Sequence, residues 1–322
     1  MYSIERYNKS HEAKWNSFVK ASKNGTFLFD RSFMDYHADR FEDYSLLVFE
    51  DNKLKALLPA HITDGNIYSH WGLTYGGLVL GFKIHLSEVI LIIKSILEYL
   101  NVQGLQKLFI KSIPAIYHKI PSQELEYTMF LANAKLIRRD SLSVIENSSA
   151  PGFSKTRKEA IRRGYGNGLE IIEDNNLELF WDKILIPNLY RKHKAAPVHT
   201  LKEMQLLKQH FPEYIRHFNV YHNGKIVAGT TIFLTDTVAH PQYISGTENN
   251  NALGSLDYLY AFLIDLFKDK KYFDFGISNE AQGRRLNGGL IFWKESYGAS
   301  TLIQNFYEVD TANFYFLDNI TI

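Results

Sequence analysis

One order of predicted elements occurs twice along this chain, and it limits the folds that the chain can adopt. In each half, hydrophobic patterning predicts helices, then a β-hairpin, a strand, a helix and a last strand. Between the halves, the segment 146–152 is rich in small polar residues and contains Pro151 and Gly152, as is typical of a linker. The repeat lies in the order of the elements, without clear identity of residues between the halves. We therefore predict two domains, 1–147 and 148–322, which suits a chain of 322 residues.

A hairpin signal in each half places strands beside helices within the same domain. In the first half, Asp51–Lys53 separates two apolar runs that have the pattern of strands. In the second half, Asn223-Gly224 is a two-residue turn of the kind that closes β-hairpins. Amphipathic helices are predicted at 87–100 and 256–267. Hairpins mixed with helices indicate the α+β class, with mixed sheets flanked by helices.

Charge, cysteine content and hydropathy exclude several classes of protein. The 36 Lys and Arg residues balance 35 Asp and Glu residues, so the net charge of +1 excludes a globally basic DNA-binding protein and allows only a local basic patch. The chain has no cysteine, which removes disulfides, thiolate metal sites and cysteine nucleophiles. The most apolar run, Val89–Leu97, is interrupted by Lys94 and is too short to span a bilayer. We expect a cytoplasmic protein without a membrane span, a DNA partner or a metal site.

Two basic segments are candidates for holding phosphate groups, although no phosphate-loop, G-x-S-x-G or H-E-x-x-H motif is present. In the segment 155–163, Lys158 and Arg162 share one face of a predicted helix. Such a face is either solvated or contacts the phosphates of a coenzyme, a nucleotide sugar or an RNA end. The segment Arg191–Lys194 could serve the same purpose, with Arg191 as the substrate-binding candidate, or could be the favourable cationic end of a helix.

The segment from Tyr272 to Ala299 carries a resemblance to a known family. It reads YFDFGIS over Tyr272–Ser278, before a loop, and IFWKESYGA over Ile291–Ala299, before the last strand. An aspartate-phenylalanine-glycine strand followed by an aromatic-lysine pair and an aromatic-glycine resembles the FemAB-like peptidyltransferases, within the GNAT-like acyl-CoA N-acyltransferase superfamily. Residues 157–172 resemble the basic helix before the second domain of that family. The resemblance covers about residues 150–305, and the first half matches only in the order of its elements.

This resemblance implies two tandem GNAT-like domains that transfer an acyl or aminoacyl group from an activated donor to an amine. The donor would be an acyl thioester or an aminoacyl-tRNA, so acyl-CoA or aminoacyl-tRNA would be a co-substrate and no cofactor would be bound permanently. The acceptor would be a small-molecule or peptide amine. With an aminoacyl-tRNA as the donor, the 3′ acceptor end of the tRNA would also be a partner. In the family the aromatic-lysine pair lies at the reaction centre, which corresponds to Trp293 and Lys294. The peptidoglycan enzymes often carry a lysine in the first domain that contacts the muramyl nucleotide, and the corresponding stretch Phe29–His37 has none, which argues against a muramyl-peptide acceptor.

A polar loop, Thr247–Ser255, lies between a predicted strand and a long helix. Acetyltransferase-like folds hold a pyrophosphate at this place, because the free amides of a helix start attract phosphate and glycine permits close approach. Asn251, Gly254 and Ser255 are therefore our candidates for binding the donor. The motif is degraded, since Leu256 stands where a small residue is usual. An ordinary helix start with Ser255 as its cap is an equally good interpretation.

Acyl transfer to an amine has chemical requirements that residues of the second half can meet. The tetrahedral intermediate carries an oxyanion, which needs a positive charge or fixed amide donors. Lys294 has aromatic neighbours that would desolvate it and hold it near a reacting carbonyl, although it could instead be a surface lysine paired with an acid. A base must also accept the proton of the amine. The candidates for this base are His199, His240 and Glu280, the last of which follows a strand end.

Further side chains are candidates for contacting the substrate. Asn287 could orient a carbonyl, and Ser278 lies in the same predicted loop, whereas Asp274 lies within a strand and has the pattern of a structural residue. In the first half, Tyr75 belongs to His70–Gly77, where aromatic residues flank glycines. That segment permits close approach of a ligand, or it is the entry to a strand with a bulge. The substrate-binding candidates are Trp293, Asn287, Ser278, His240, Tyr75 and Arg191.

Two other functions are compatible with the same residues. The degraded loop and the missing first-domain lysine favour a non-catalytic module that binds a small molecule or a protein on a decayed acyltransferase fold. The basic segment favours an RNA-end binder through cations of the predicted helix, which are Arg157, Lys158, Arg162 and Arg163. We expect acyl or aminoacyl transfer, with Lys294, Glu280 and His199 as the catalytic candidates.

Overall fold

A computed structural model describes residues 2–318 and Ile320. The strands are β1 (Tyr2–Arg6), β2 (Glu42–Asp43), β3 (Leu46–Glu50), β4 (Lys53–Leu58), β5 (His61–Thr63), β6 (Asn66–Tyr68), β7 (Val79–Leu80), β8 (Lys107–Lys111), β9 (Lys135–Glu146), β10 (Glu170–Glu173), β11 (Ile215–His222), β12 (Lys225–Leu234), β13 (Val238–Gly246), β14 (Tyr272–Ile277), β15 (Asn279–Glu280), β16 (Arg285–Leu286) and β17 (Ser300–Asp310). The α-helices are α1 (Glu12–Ala21), α2 (Arg31–Met34), α3 (Leu86–Val102), α4 (Glu124–Leu131), α5 (Lys155–Gly166), α6 (Leu177–Phe180), α7 (Ile186–His193), α8 (Leu201–His210), α9 (Asn250–Leu253), α10 (Ser255–Leu266) and α11 (Gly288–Glu295). A π-helical turn, Trp181–Leu185, joins α6 to α7. This mixture of helices and sheets confirms the predicted α+β class.

The chain divides into two compact units whose limits differ from the predicted domains, 1–147 and 148–322. The first unit comprises Met1–Asp140 and Ile303–Ile322, and the second comprises Ser141–Leu302. The difference at the end of the chain arises because β17 pairs antiparallel with β8 from Phe306 to Asp310. A pairing between segments so far apart in the sequence leaves no local pattern.

The core of the first unit is built on α3. Its buried residues recur every three or four positions, so one face of the helix is apolar and packs on the strands. The antiparallel sheet β1-β3-β4-β7 and the strands β17-β8-β6-β5-β2 supply the facing surfaces, and β6 pairs parallel with β8. The parallel pair among antiparallel ones makes this a mixed arrangement, as predicted. No helix among the described residues is long and apolar enough to cross a membrane.

The second unit contains the strands β10-β11-β12-β13-β14-β9 in that order. The predicted hairpin is present, because Asn223 and Gly224 both adopt positive φ, at 50° and 71°, and join β11 to β12. Helix α10 buries Leu259, Tyr260 and Leu263 against the sheet. All neighbouring strands are antiparallel except β13 and β14.

The parallel pair β13 and β14 shapes the middle of the second unit. The two strands are paired at Val238↔Tyr272 and Ala239↔Phe273, at their first two residues. On its other side, β14 pairs with β9 and is irregular between Asp274 and Ile277, where Gly276 has a φ of +72°. A bulge of this kind turns backbone groups away from the regular ladder.

Candidate functional site

Lys294 is buried at the end of α11, and its ammonium contacts the bulge of β14. Only 2% of the residue is exposed. The Nζ atom donates hydrogen bonds to Gly276 O at 2.9 Å and to Ile277 O at 2.7 Å. Burial lowers the pKa of Lys294 to about 8, and the nearby carboxylate of Asp274 partly opposes this effect. Burial therefore desolvates the amine of Lys294, and two carbonyl oxygens hold it in place.

His240 contacts the same bulge from β13. Its Nδ1 lies 2.9 Å from Asp274 O and 3.5 Å from Asp274 Oδ2. The Asp274 carboxylate is fully buried and accepts a hydrogen bond from Gly276 N at 2.7 Å. A Cβ atom on Gly276 would lie 3.1 Å from Cε1 of His240, so the ring packs directly on this glycine. His240 and Lys294 thus meet at one residue, just beyond the paired part of β13 and β14.

A buried ion pair holds the helix that carries Lys294. Asp257 Oδ1 accepts hydrogen bonds from the Arg157 guanidinium, from Trp293 Nε1 at 3.2 Å and from the Tyr297 hydroxyl at 3.3 Å. Arg157 also donates to Ser296 Oγ at 2.9 Å, and its guanidinium carbon lies 4.6 Å from the centre of the Tyr297 ring. We name these five residues the Arg157–Asp257 cluster. It anchors Trp293 in the packing between α5, α10 and α11.

A cavity of about 440 Å³ lies at the end of β13. Helix α7, the residues after β13 and the start of α10 line it, and its polar lining includes the cations Arg191 and Lys192, the carboxylate Glu248 and the amide Asn251. The Arg191 guanidinium pairs with Glu248, and both side chains are largely exposed. Two of the candidates, Arg191 and Asn251, therefore share one cavity, and Lys294 is not part of its lining.

The polar loop before α10 is arranged differently from a phosphate-binding loop. Asn250 Oδ1 accepts hydrogen bonds from Leu256 N at 2.9 Å and from Ser255 Oγ at 2.8 Å, so Asn250 caps the start of the helix and Ser255 does not. A Cβ atom on Gly254, whose φ is +69°, would lie 2.5 Å from Ala160 O in α5. Gly254 therefore permits the close crossing of two helices, and Ser255 is buried beside it.

Solved structures share this architecture, whereas no protein-family model and no curated protein sequence matches the chain. The fold is similar to the crystal structure of FemX, with a TM-score of 0.69 and 9% identity over 98% of this chain and 99% of FemX. It is similar to L-PGS from Bacillus licheniformis, with a TM-score of 0.59 and 10% identity over 94% of this chain and 91% of L-PGS. It is also similar to a tandem GNAT protein from the clavulanic acid biosynthesis pathway, with a TM-score of 0.50 and 9% identity over 97% of this chain and 99% of that protein. The chain has a FemAB-like, GNAT-like fold. At these identities the likeness shows the fold alone.

Within the FemAB-like fold, several candidates lie in the loop that leads into α11. Glu280 is exposed on the hairpin of β15 and β16, and its Oε1 accepts a hydrogen bond from Asn287 Nδ2 at 3.1 Å. Asn287 Oδ1 caps α11 by accepting from Leu290 N at 3.0 Å. Ser278 is 2% exposed, and its Oγ has no hydrogen-bond partner among the described residues. This loop therefore positions α11 from its N-terminal end.

Two other candidates lie in packing contacts of the FemAB-like fold. His199 is buried, and its Nδ1 lies 2.5 Å from the hydroxyl of Tyr243, which also accepts a hydrogen bond from the His199 backbone N–H at 3.0 Å. Tyr75 belongs to the core of the first unit, where its hydroxyl donates to Thr26 Oγ1 at 3.0 Å. Both side chains are therefore buried in packing contacts of their own units.

Sequence reasoning missed Asp257 and Asn250 as residues that organise the site. Asp257 lies in the first turn of an apolar helix, and a buried acid in such a place is a signal for a cationic partner. Arg157 is that partner, which removes it from the cations available to a phosphate. Among the described residues, no group of three or more His, Asp or Glu side chains is arranged to hold a metal ion.

Proposed function

We propose that this chain transfers an acyl or aminoacyl group from an activated donor to an amine acceptor. The observation that carries the proposal is the buried ammonium of Lys294, held at the bulge of β14 beside His240. The similarity of the fold to FemX, L-PGS and a tandem GNAT protein supports the same class of reaction.

The role of Lys294 is to stabilise the oxyanion of the tetrahedral intermediate. An ammonium has three N–H groups, and the carbonyls of Gly276 and Ile277 use two of them, which leaves one for the oxyanion. With a pKa of about 8, most of the side chain carries its charge at pH 7. A charge in a desolvated site stabilises an oxyanion more strongly than the same charge in water.

The cavity at the end of β13 favours an aminoacyl-tRNA over acyl-CoA as the donor. Asn250 occupies the amide of Leu256, so a pyrophosphate at the start of α10 would have to displace this cap. Lys192 borders the cavity from α7 and can contact the phosphates of an RNA end. Arg191 can do the same by exchanging its exposed and therefore weak pair with Glu248 for a phosphate. The acceptor in this proposal is a small-molecule or peptide amine.

Single-turnover transfer tests the proposal with both kinds of donor. The purified chain is mixed with aminoacyl-tRNA or with acyl-CoA, together with a panel of amino acids, short peptides and polyamines as acceptors. Removal of an oxyanion-stabilising group costs about 10²–10³ in rate. We therefore expect Lys294→Met to lose about that factor, whereas Lys268→Met, at an exposed lysine paired with Asp265, should keep the wild-type rate. Equal rates for Lys294→Met and wild type would remove Lys294 from the mechanism.

The cap made by Asn250 also favours a second candidate, a binding module without activity. A helix start already satisfied by its own chain has lost a phosphate-binding amide, as expected in a decayed acyltransferase fold. Isothermal titration with each donor distinguishes the two functions. Binding without transfer to any amine of the panel would support the module and contradict the enzyme.

A further inference from the structure

We infer that His240 is the general base that accepts the proton of the attacking amine, and that Asp274 positions it. This inference rests on the proposed function. It selects one base from the three candidates that the sequence offered, which are His199, His240 and Glu280. It is carried by the place of the imidazole at the point where β13 and β14 cease to pair.

The hydrogen bond of His240 determines which ring nitrogen is basic. Nδ1 lies 2.9 Å from the backbone oxygen of Asp274, and a carbonyl oxygen only accepts hydrogen bonds. Nδ1 of the neutral ring therefore carries the hydrogen, and Nε2 carries the lone pair. The Asp274 carboxylate, 3.5 Å from Nδ1, stabilises the imidazolium that forms once Nε2 has accepted a proton. This carboxylate is itself held by the amide of Gly276.

The proposed base, His240, and the oxyanion-stabilising group, Lys294, both contact Gly276. His240 packs on Gly276 through Cε1, and Lys294 donates to Gly276 O. A donor carbonyl whose oxygen contacts Lys294 would therefore present its carbon near His240. The strands pair only up to Ala239, directly before His240, and 12% of the His240 side chain is exposed. The Asp274 carboxylate from β14 faces the ring, and the Lys294 ammonium from α11 donates to Gly276 O beside it.

The other two candidates are placed less well for this step. Nδ1 of His199 lies against the Tyr243 hydroxyl. Glu280 is exposed on a hairpin and accepts a hydrogen bond from Asn287. Of the three candidates, His240 is the one with an atom within 4 Å of a Cβ placed on Gly276.

The step conserves atoms and charge. The amine nitrogen forms a bond to the donor carbonyl carbon, and its proton passes to Nε2 of His240. As the tetrahedral intermediate collapses, the bond from that carbon to the ribose oxygen of an aminoacyl-tRNA, or to the sulfur of a thioester, breaks. The departing atom takes the proton from the imidazolium, while Lys294 keeps its own proton throughout.

His240→Asn tests the inference in the whole chain. The asparagine amide can still donate to Asp274 O, so the variant keeps the contact and removes the base. General-base catalysis contributes about 10²–10⁴ in rate. We expect a single-turnover rate at least about 100-fold lower, with the acidic limb of the pH–rate profile lost and with partial rescue by added imidazole. His210→Asn, at an exposed histidine, should behave as wild type.

The outcomes separate this inference from the proposed function. Transfer by wild type together with an unchanged rate and pH profile in His240→Asn would overturn the role of His240 alone. A wild type that transfers nothing from either donor would overturn both. The ¹⁵N NMR signals of the imidazole, assigned with His240→Asn, give a readout without activity. A neutral ring protonated on Nδ1 supports the inference, and one protonated on Nε2 overturns it.

Discussion

Replacement of Asp257 by asparagine should destabilise the helices around Lys294. The ion pair with Arg157 is nearly dry, since the side chains of Arg157 and Asp257 are 9% and 7% exposed. Asparagine keeps an oxygen for Trp293 Nε1 and the Tyr297 hydroxyl, so the main change is the loss of the negative charge beside a buried guanidinium. Breaking a buried pair by removal of one partner costs about 3–5 kcal/mol.

The loss of stability caused by Asp257→Asn should depend on whether the charge of Arg157 remains. The double variant Arg157→Met/Asp257→Asn removes both charges and keeps an oxygen for Trp293 Nε1 and the Tyr297 hydroxyl, so it leaves no buried charge unpaired. We therefore expect the double variant to be more stable than Asp257→Asn alone. This difference separates the cost of an unpaired charge from a general loss of packing.

Hydrogen exchange followed by mass spectrometry measures this effect where it occurs. A loss of about 3 kcal/mol corresponds to exchange about a hundredfold faster in the peptides that contain α5, α10 and α11. Peptides from α3, in the first unit, serve as the internal control. Exchange within threefold of wild type in α11 of Asp257→Asn would refute the view that this ion pair holds the helix of Lys294.

Two further predictions concern Lys294 and His217, because burial has shifted the pKa of each side chain. Lys294 should react with acetic anhydride with a midpoint near pH 8, well below the value of about 10.4 for an ordinary lysine, and peptide mass spectrometry across pH 6–10 would show a midpoint near 10 if the amine were solvated. Burial lowers the pKa of His217 to about 4, so the unfolded chain binds a proton at this imidazole more readily than the folded chain does. The contribution of the neutral His217 to the free energy of unfolding is therefore complete above about pH 6.5, and it falls by about 3 kcal/mol towards pH 4. Urea unfolding at pH 7 and pH 5 should therefore show a smaller change in the free energy of unfolding for His217→Gln than for wild type. An equal change in the two proteins would contradict this role of His217.

Much of the fold follows from patterns that are local in the sequence. The turn Asn223-Gly224 requires positive φ at both residues, so it predicts the hairpin of β11 and β12 directly. The apolar spacing of α3 and α10 predicts both helices within one or two residues of their observed ends. The FemAB-like resemblance of residues 272–299 is likewise confirmed at the level of the fold.

The limits of the two units could not be predicted in the same way. The pairing of Phe306 with Lys111 joins strands that are far apart in sequence, and either strand alone has the pattern of any half-buried strand. Local composition marks the segment 146–152 as a linker, but tertiary pairing places residues 303–322 in the first unit.

The site shows the same division between local and distant causes. The aromatic neighbours of Lys294 indicated a desolvated amine, and the structure places it so. The contact of His240 with Asp274 depends on a parallel pairing of strands that the sequence does not specify. The sequence cannot show what approaches Gly254, because a position without a Cβ admits either a ligand or a second helix. In the structure, α5 fills this space. Arg157 similarly resembles its exposed neighbours in sequence and differs only by the distant Asp257.

The rate of the chemical step with and without the Lys294 charge shows whether this ammonium takes part in transfer. With donor and acceptor both saturating, we expect Lys294→Met to slow transfer by about 10²–10³. We also expect Lys294→Met to retain the affinity of the wild type for the donor, because Lys294 lies outside the lining of the cavity. An unchanged rate, or a defect confined to donor affinity, would contradict the placing of the reaction at the bulge of β14.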